Sequence, residues 1–559
     1  MIEFQSSIDL LSIGKYYEDW PFGKVIESHA SVKDIGQTLQ DHLIRTNAEY
    51  ILLWDPSQGY PDPKVILEIA SQRGDVWHAG LKLGQNGMPR MFNFVNPTWM
   101  LQVDPPRNQE SSCWRLSLNA CLIKTEVIKQ LGGPDQDYET LAGAGLELGY
   151  RYFHSGVFIR YAPDLLSSEM NPLEAQEPTT YDELRFIRQF FGDKWVKWTL
   201  LRSVLTKYPI ITIFAAYKKL LRTSNKPFAN VFEHKPPEKL FNLSEWHNKV
   251  SILIPTLERY SYLRVELEQL RHQTVRPAEI LIMDQTPEAE RDESIAVEFS
   301  DLPLKVFYQN TMGQCTGWNQ GLLASTGEYF LFLGDDADLI SPDFIERFLR
   351  AFQTWQADMV ACIVNEVGAN PVPERLKIMR IADSFPIAMI HRNLLMKSGL
   401  MDYAFDRGAR ADQDLGIRCF LSGGFMIVDP SIEVLHHHAP RGGLRAHKAR
   451  AITYAQSRNK LFVRSIASTT EIYLVKRYFN HQQQIEHKWL NILGTFSIRG
   501  NKIRKMLKII VSGLLLPNSL WQYKQREIQA QQMLMAFPQI PTLNALEINI
   551  ANDEMKTCM

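Results

Sequence analysis

Three carboxylates within four residues, Asp335, Asp336 and Asp338, break the stretch GEYFLFLGDDADLISP (327–342) directly after the apolar run Tyr329–Leu333. Held this close, they repel one another unless something positive sits among them, and a hard divalent cation with oxygen ligands is the simplest candidate. The plainer reading of the same spacing is an acidic turn that caps the helix opening at Pro342 and Asp343. An apolar run ending in acids is a buried strand that delivers carboxylates to its C-terminal edge. In an open parallel sheet that edge is where ligands bind.

The flanking sequence supplies the elements such an edge needs. Val250–Ile254 is an apolar run entering Pro255-Thr256, Leu263, Leu267 and Leu270 mark a helix, and Glu279–Met283 is a second strand ending at Asp284. Residues 313–325 predict the helix before the acidic strand, and Phe344, Phe348 and Phe352 the helix after it. Met359–Val364 and Phe425–Val428 are two further strands. Strands alternating with helices imply an α/β fold with a parallel, doubly wound sheet.

The first part of the chain repeats this pattern without its acids. Residues 1 to about 48 are mixed, with a strand at Lys24–Glu27 and a helix at Val32–Ile44. EYILLWDPS (49–57) then parallels EYFLFLGDD (328–336), and placing Arg151 on Arg418 sets Glu147 on Asp414, Gly156 on Gly423 and Pro163 on Pro430 without a gap. Two matching segments in the same order predict an internal duplication. Asp336 and Asp338 are matched only by Asp55, Pro56 and Ser57, Asp412 by Gly145, and His436, His437 and His438 by Glu169, Met170 and Asn171. The expected organisation is a degenerate copy at 1–180, a basic helical appendage at 181–222, a linker at 223–248, a site-bearing domain at 249–450 and a helical region at 451–559.

Composition narrows the class. A chain of 559 residues exceeds what one core holds, and 45% hydrophobic with 22% charged residues is ordinary for globular proteins. A net charge of -1, from 61 basic and 62 acidic residues, argues against a nucleic-acid partner. The six cysteines form no C-x-x-C pair, which argues against a zinc site or a disulfide framework. MIEFQSSIDL has no basic region followed by an apolar core, so the expected location is cytoplasmic. KIRKMLKIIVSGLLL (502–516) joins four cations to a short apolar tail. It is either an in-plane anchor on the membrane face or a buried hairpin, and it is too short to span a bilayer.

Together, residues 250–440 resemble a family 2 glycosyltransferase of the GT-A fold. The resemblance rests on the strand into Pro255-Thr256, the strand ending at Asp284, G-x-x-x-x-x-N-x-G-L from Gly313 to Leu322, the D-x-D, the acid pair before L-G-x-R, and a late histidine. It implies tandem GT-A-like domains and a metal-dependent inverting transferase that moves one sugar from a nucleotide diphosphate to a glycan or lipid-linked acceptor. On that resemblance Pro255, Thr256 and Glu258 border the base, Asp284 accepts from it as in uridine-diphosphate enzymes, and Gly313, Asn319 and Asp336 complete the nucleotide site. Asp336 and Asp338 would hold Mn2+ or Mg2+, with His436 or His438 as a further ligand. Asp412 matches the family's general base and Asp414 is its rival, although the survival of Glu147 points to a structural duty for Asp414. Arg441 and Arg445 would close over the diphosphate, since Trp318 stands where the family commonly has an arginine. The chain has no Arg-Trp dipeptide, which argues against a processive membrane synthase. Two other classes compete: a non-catalytic nucleotide-sugar-binding or assembly module of a polysaccharide-building complex, and a nucleotidyltransferase. The latter would need a Gly-rich basic loop after its first strand, and Pro255–Tyr260 is not one.

Overall fold

The computed structural model describes residues 7–14, 17, 19–81, 88–166, 177–206, 208–224, 230–236, 240–437, 439 and 458–543. His438, Arg441, Arg445 and the segment Glu169–Asn171 lie outside the described residues. The chain divides into two compact units, Met1–Lys235 with Ile378–Ile381, and Pro236–Lys377 with Ala382–Met559.

The first unit is built on β1 (Ile8–Ile13), β2 (Val25–Ser28), β3 (Tyr50–Trp54), β4 (Val76–His78), β5 (Ser111–Ser112), β6 (Ala120–Lys124) and β7 (Ile159–Tyr161), in the order β2-β1-β3-β6-β4-β7-β5. The sequence reading misses β1, because Asp9 interrupts an otherwise apolar IDLLSI with neither alternation nor turn residues to mark it. The fold satisfies this buried acid locally: Asp9 accepts from the Lys24 amide at 2.8 Å and pairs with His42 at 2.7 Å. Helices α1 (Val32–Leu43), α2 (Pro63–Ala70), α3 (Thr125–Leu131) and α4 (Leu141–His154) are followed by α5 (Thr180–Phe191), α6 (Asp193–Leu205) and α7 (Ile210–Leu220). α5 belongs to the core rather than to an appendage. Its Leu184, Phe186 and Ile187 are buried, and its buried Glu183 accepts the Met91 amide at 2.9 Å.

The second unit has β8 (Val250–Thr256), β9 (Glu279–Asp284), β10 (Leu304–Tyr308), β11 (Tyr329–Phe332), β12 (Ala337–Leu339), β13 (Met359–Glu366), β14 (Ala388–His391) and β15 (Met426–His436), in the order β10-β9-β8-β11-β14-β13-β15-β12. Helices α8 (Tyr260–Arg271), α9 (Gln314–Ala324), α10 (Phe344–Trp355), α11 (Arg392–Ser398) and α12 (Ala411–Leu421) connect them. A C-terminal set follows: α13 (Thr469–Tyr478), α14 (His481–Gly494), α15 (Lys502–Leu514) and α16 (Leu516–Ala536).

The sheet is mixed, not wholly parallel. β10, β9, β8 and β11 run parallel, but β14 is antiparallel to both β11 and β13. Parallel neighbours need a crossover, usually a helix, and antiparallel ones do not; the segment between β13 and β14 contains no α-helix. The same device recurs in the first unit, where β6 is antiparallel to β3 and β4 while β1 and β3, and β4 and β7, are parallel. The runs β2-β1-β3-β6-β4-β7 and β9-β8-β11-β14-β13-β15 thus share order and sense.

The likeness between the units extends to buried chemistry. In α4, Arg151 pairs with Glu147 at 2.6 Å and donates to the Leu131 carbonyl at the end of α3. In α12, Arg418 pairs with Asp414 at 2.7 Å and donates to the Ser398 carbonyl at the end of α11. In each unit one i,i+4 pair locks a helix onto the C-terminus of its predecessor, where a cation meets the helix dipole favourably.

Candidate active site

The site forms where adjacent parallel strands end. Thr256 at the end of β8 lies opposite Asp284 at the end of β9, and Leu253 of β8 pairs with Phe332 at the end of β11, three residues before the first acid, Asp335. Thr256 Oγ1 donates to Asp335 Oδ2 at 2.9 Å. None of the three acids caps the following helix, whose N-cap is Asp343, so the capping reading fails.

A positive group does sit among the acids, and this chain supplies it. Arg259 Nη1 lies 2.8 Å from Asp335 Oδ1 and 3.4 Å from Asp336 Oδ2. Sequence reasoning missed Arg259 as a site residue and placed Asp335 in the acidic cluster without a role of its own; the available signal for Arg259 was an arginine three positions after the Pro-Thr turn. The turn is strained at Glu258, which has φ of 59° and donates its amide to Thr286 Oγ1 at 3.0 Å. Positive φ in a non-glycine residue costs free energy and tends to persist where surrounding structure imposes it.

The histidines arrive through pairing of β12 with β15, in which Ala337 lies opposite His436. His436 Nε2 lies 3.2 Å from Asp336 Oδ1, and His437 Nε2 lies 2.5 Å from Asp338 Oδ2. Alternation along an extended chain would have set His436 and His438 on one face. Instead β15 ends at His436, the alternation stops, and consecutive rings both turn to carboxylates. His437 is therefore a residue of the cluster that the sequence reading passed over.

The acids are held in different states. Burial pushes Asp335 up to about 6, opposed by Arg259. Burial also works to raise Asp336, but hydrogen bonds from His436 and the Ala439 amide, with the charge of Arg259, outweigh it and hold the carboxyl well below the usual range. Beneath them lies Glu266 of α8, fully buried, with neither carboxyl oxygen hydrogen-bonded. Burial, reinforced by the charges of Asp335, Asp336 and Asp338, pushes its pKa well above the usual glutamate value and favours the neutral acid. Glu266 was read only as part of a helix.

Among the described residues, no three or more His, Cys, Asp or Glu side chains close into a ready-made metal cage. The pairs present fit another arrangement, in which one or two carboxylates hold a hard ion and substrate phosphates complete its shell. Asp336, kept ionised, and Asp338, each facing an imidazole nitrogen, are donors of that kind.

The expected nucleotide residues fare unequally. Thr256 belongs to the acid cluster, with Pro255 half-buried before it. Asp284 is buried, accepting from the Tyr260 hydroxyl at 2.7 Å and the Thr286 amide at 2.9 Å. Gly313 is needed for packing, since a Cβ there would meet the Asp406 carboxyl at 2.5 Å, and both its backbone groups bond Gln285. Asn319 is buried, and its amide clamps the Met401 backbone with two 2.9 Å bonds, one donated and one accepted. Trp318 packs on Phe332.

Asp412 and Asp414 stand on α12 in contrasting settings. Asp412 is exposed in the first turn of the helix. The preceding cap, Arg410, is held at φ of 91° and pairs with Glu471 of α13 at 2.6 Å. Asp414 is fully buried, bound to Arg418 and to the Tyr478 hydroxyl at 2.6 Å. The C-terminal helices thus brace the helix that presents Asp412.

The chain was compared with known proteins. Over 115 residues it is 35% identical to the putative glycosyltransferase EpsH of Bacillus subtilis, covering 20% of this chain and 33% of that protein. Over 114 residues it is 27% identical to the glycosyltransferase GlyA of Streptococcus pneumoniae, covering 20% and 16%. These alignments span a third or less of the relatives' length. Among solved structures, S. aureus TarS 1-349 in complex with UDP-GlcNAc aligns at 15% identity and TM-score 0.34 over 52% of this chain and 82% of that one. Mannosyltransferase PcManGT from Pyrobaculum calidifontis in complex with GDP-Man and Mn2+ aligns at 14% and TM-score 0.32 over 51% and 86%. The family model for glycosyl transferase family 2 matches residues 251–411, which contain Thr256, Arg259 and the three clustered aspartates.

Proposed function

We propose that the second unit is a metal-dependent inverting glycosyltransferase. It moves a single sugar from a nucleotide-diphosphate donor, with uridine as the base, to a hydroxyl of a glycan or lipid-linked acceptor in surface polysaccharide synthesis. The observation that carries this reading is the convergence of Thr256, Asp335, Asp336 and Asp338, inside the region that the family 2 model matches, with His436 and His437, which lie beyond it in the chain. Mn2+ or Mg2+, held by Asp336 and Asp338 with an imidazole nitrogen of His436 or His437, would supply fixed positive charge where the diphosphate departs.

The chain's own groups do the rest. Arg259 keeps the paired acids in register and ionised where a cation is to be held. Asp412 accepts the proton of the attacking hydroxyl while that oxygen bonds to the anomeric carbon. On the opposite face the bond from that carbon to the diphosphate oxygen breaks with its electron pair, so configuration inverts. The first unit keeps the fold and the Glu147–Arg151 lock without the acids, and its role in this reading is support or acceptor binding.

Replacing Asp412 with Asn tests the assignment. Transfer from a nucleotide sugar should fall by about 10²–10⁴-fold with unfolding unchanged, the range for loss of a general base. Unchanged transfer would remove Asp412 from the mechanism. Absence of transfer in the unmodified chain across nucleotide sugars would favour the assembly-module reading.

A further inference from the structure

Helix α15 is built with its polar side inward. Its two buried residues are Lys508 and Ser512, while Ile503, Met506, Leu507, Ile509, Ile510 and Leu514 are between 41% and 77% exposed. This orientation is fixed by bonds: Lys508 Nζ donates to the carbonyls of Lys460, Leu461 and Val463 at 2.7–3.0 Å, and Ser512 Oγ to that of Thr495 at 2.7 Å. Turning the apolar side inward would break all four. The buried-hairpin reading of this segment is therefore set aside.

The exposed face has the pattern of a surface binder. Ile503, Met506, Leu507, Ile510 and Leu514 occupy positions i, i+3, i+4, i+7 and i+11, a stripe about 100° wide directly opposite Lys508 and Ser512. Lys502 and Arg504 flank that stripe on either side. Trp521 of α16 is 62% exposed. No Asp or Glu occurs between Glu486 and Glu527, whereas eight Lys and Arg residues do (488, 499, 502, 504, 505, 508, 524 and 526). An acid-free, cation-flanked apolar stripe complements an anionic bilayer surface, where apolar side chains enter the acyl boundary and lysines stay with the headgroups. At thirteen residues α15 lies along such a surface rather than across it, and no helix among the described residues is long and apolar enough to cross a membrane.

We infer that the outer face of α15 docks the chain on an anionic membrane surface, an inference independent of the proposed transferase reaction. The test is co-sedimentation of the full chain with phosphatidylcholine vesicles with and without phosphatidylglycerol. Binding should need the anionic lipid and weaken with salt. Ile503→Ser with Ile510→Ser, both exposed and so neutral to folding, should lower it at least tenfold. Lys502→Glu with Arg504→Glu should lower it further, since each cation near an anionic surface is worth about fivefold. No binding at low salt, or binding indifferent to the Ile503/Ile510 pair, would overturn the inference. So would a chain that dimerises until those isoleucines are replaced, because the face would then belong to a second copy.

Discussion

Replacing Asp414 with Asn separates structural from chemical duty at the acid pair on α12. In the folded chain Asp414 accepts from Arg418 at 2.9 and 2.7 Å and from Tyr478 at 2.6 Å, and its side chain is fully buried. Asn retains one acceptor oxygen but turns an NH2 toward a donor, and the Arg418 guanidinium is left buried without a counter-charge. Breaking a buried pair from one side costs about 3–5 kcal/mol, a large share of a typical margin of about 5–15 kcal/mol. At an m-value of about 2–3 kcal/mol/M the urea midpoint should fall by about 1–2 M. Because the chain has two units, peptide-resolved hydrogen exchange is the better readout. Protection should drop in α12 and α11 and stay unchanged in α4. Glu147→Gln should give the mirror result, with lost protection in α4 and α3 and a transfer rate unaltered at permissive temperature. If Asp414→Asn kept full stability and lost transfer, Asp414 would be the chemical acid and the argument from its twin would fail.

Asp336→Asn should remove divalent-ion dependence of nucleotide binding, weakening it at least tenfold in Mn2+ while leaving metal-free binding unchanged; equal loss in both conditions would point to a packing role. Glu266→Met should stabilise the second unit at pH 7 by about 1–3 kcal/mol, the cost of a buried unpartnered polar group. The gain should shrink as pH falls toward 4. Burial raises the folded Glu266 carboxyl above its unfolded value, so the stability this group contributes falls as pH rises above the unfolded glutamate value. A destabilised Met variant would mean that Glu266 holds a partner when ligands are bound.

Much of the second unit was legible because its strands and helices carry their pattern locally. GEYFLFLGDDADLISP announces a buried strand ending in acids wherever it occurs, and the duplication was visible because glycines, prolines and the Glu147–Arg151 spacing outlast the acids. What escaped depends on distant pairing. The placing of His437 beside Asp338 follows from where β15 ends, and Arg259 among the acids follows from a strained turn at Glu258. β14 reverses the sheet because of a connection without a helix, which periodicity within a strand does not encode. The clamp that Asn319 places on the Met401 backbone is not legible in sequence, because it depends on a partner 82 residues away. For α15 the amphipathic pattern was plain but its direction was not, since only the partners of Lys508 decide which face is inside.

The central claim is that one unit of this chain binds a nucleotide diphosphate through a metal-assisted acid cluster. Calorimetric titration of the full chain with uridine diphosphate, with and without Mn2+, tests it most directly. The account predicts Mn2+-dependent binding at one site per chain, abolished by Asp336→Asn. Two sites would show that the first unit has kept a site, and no heat with uridine diphosphate or any other nucleoside diphosphate in Mn2+ would contradict the account.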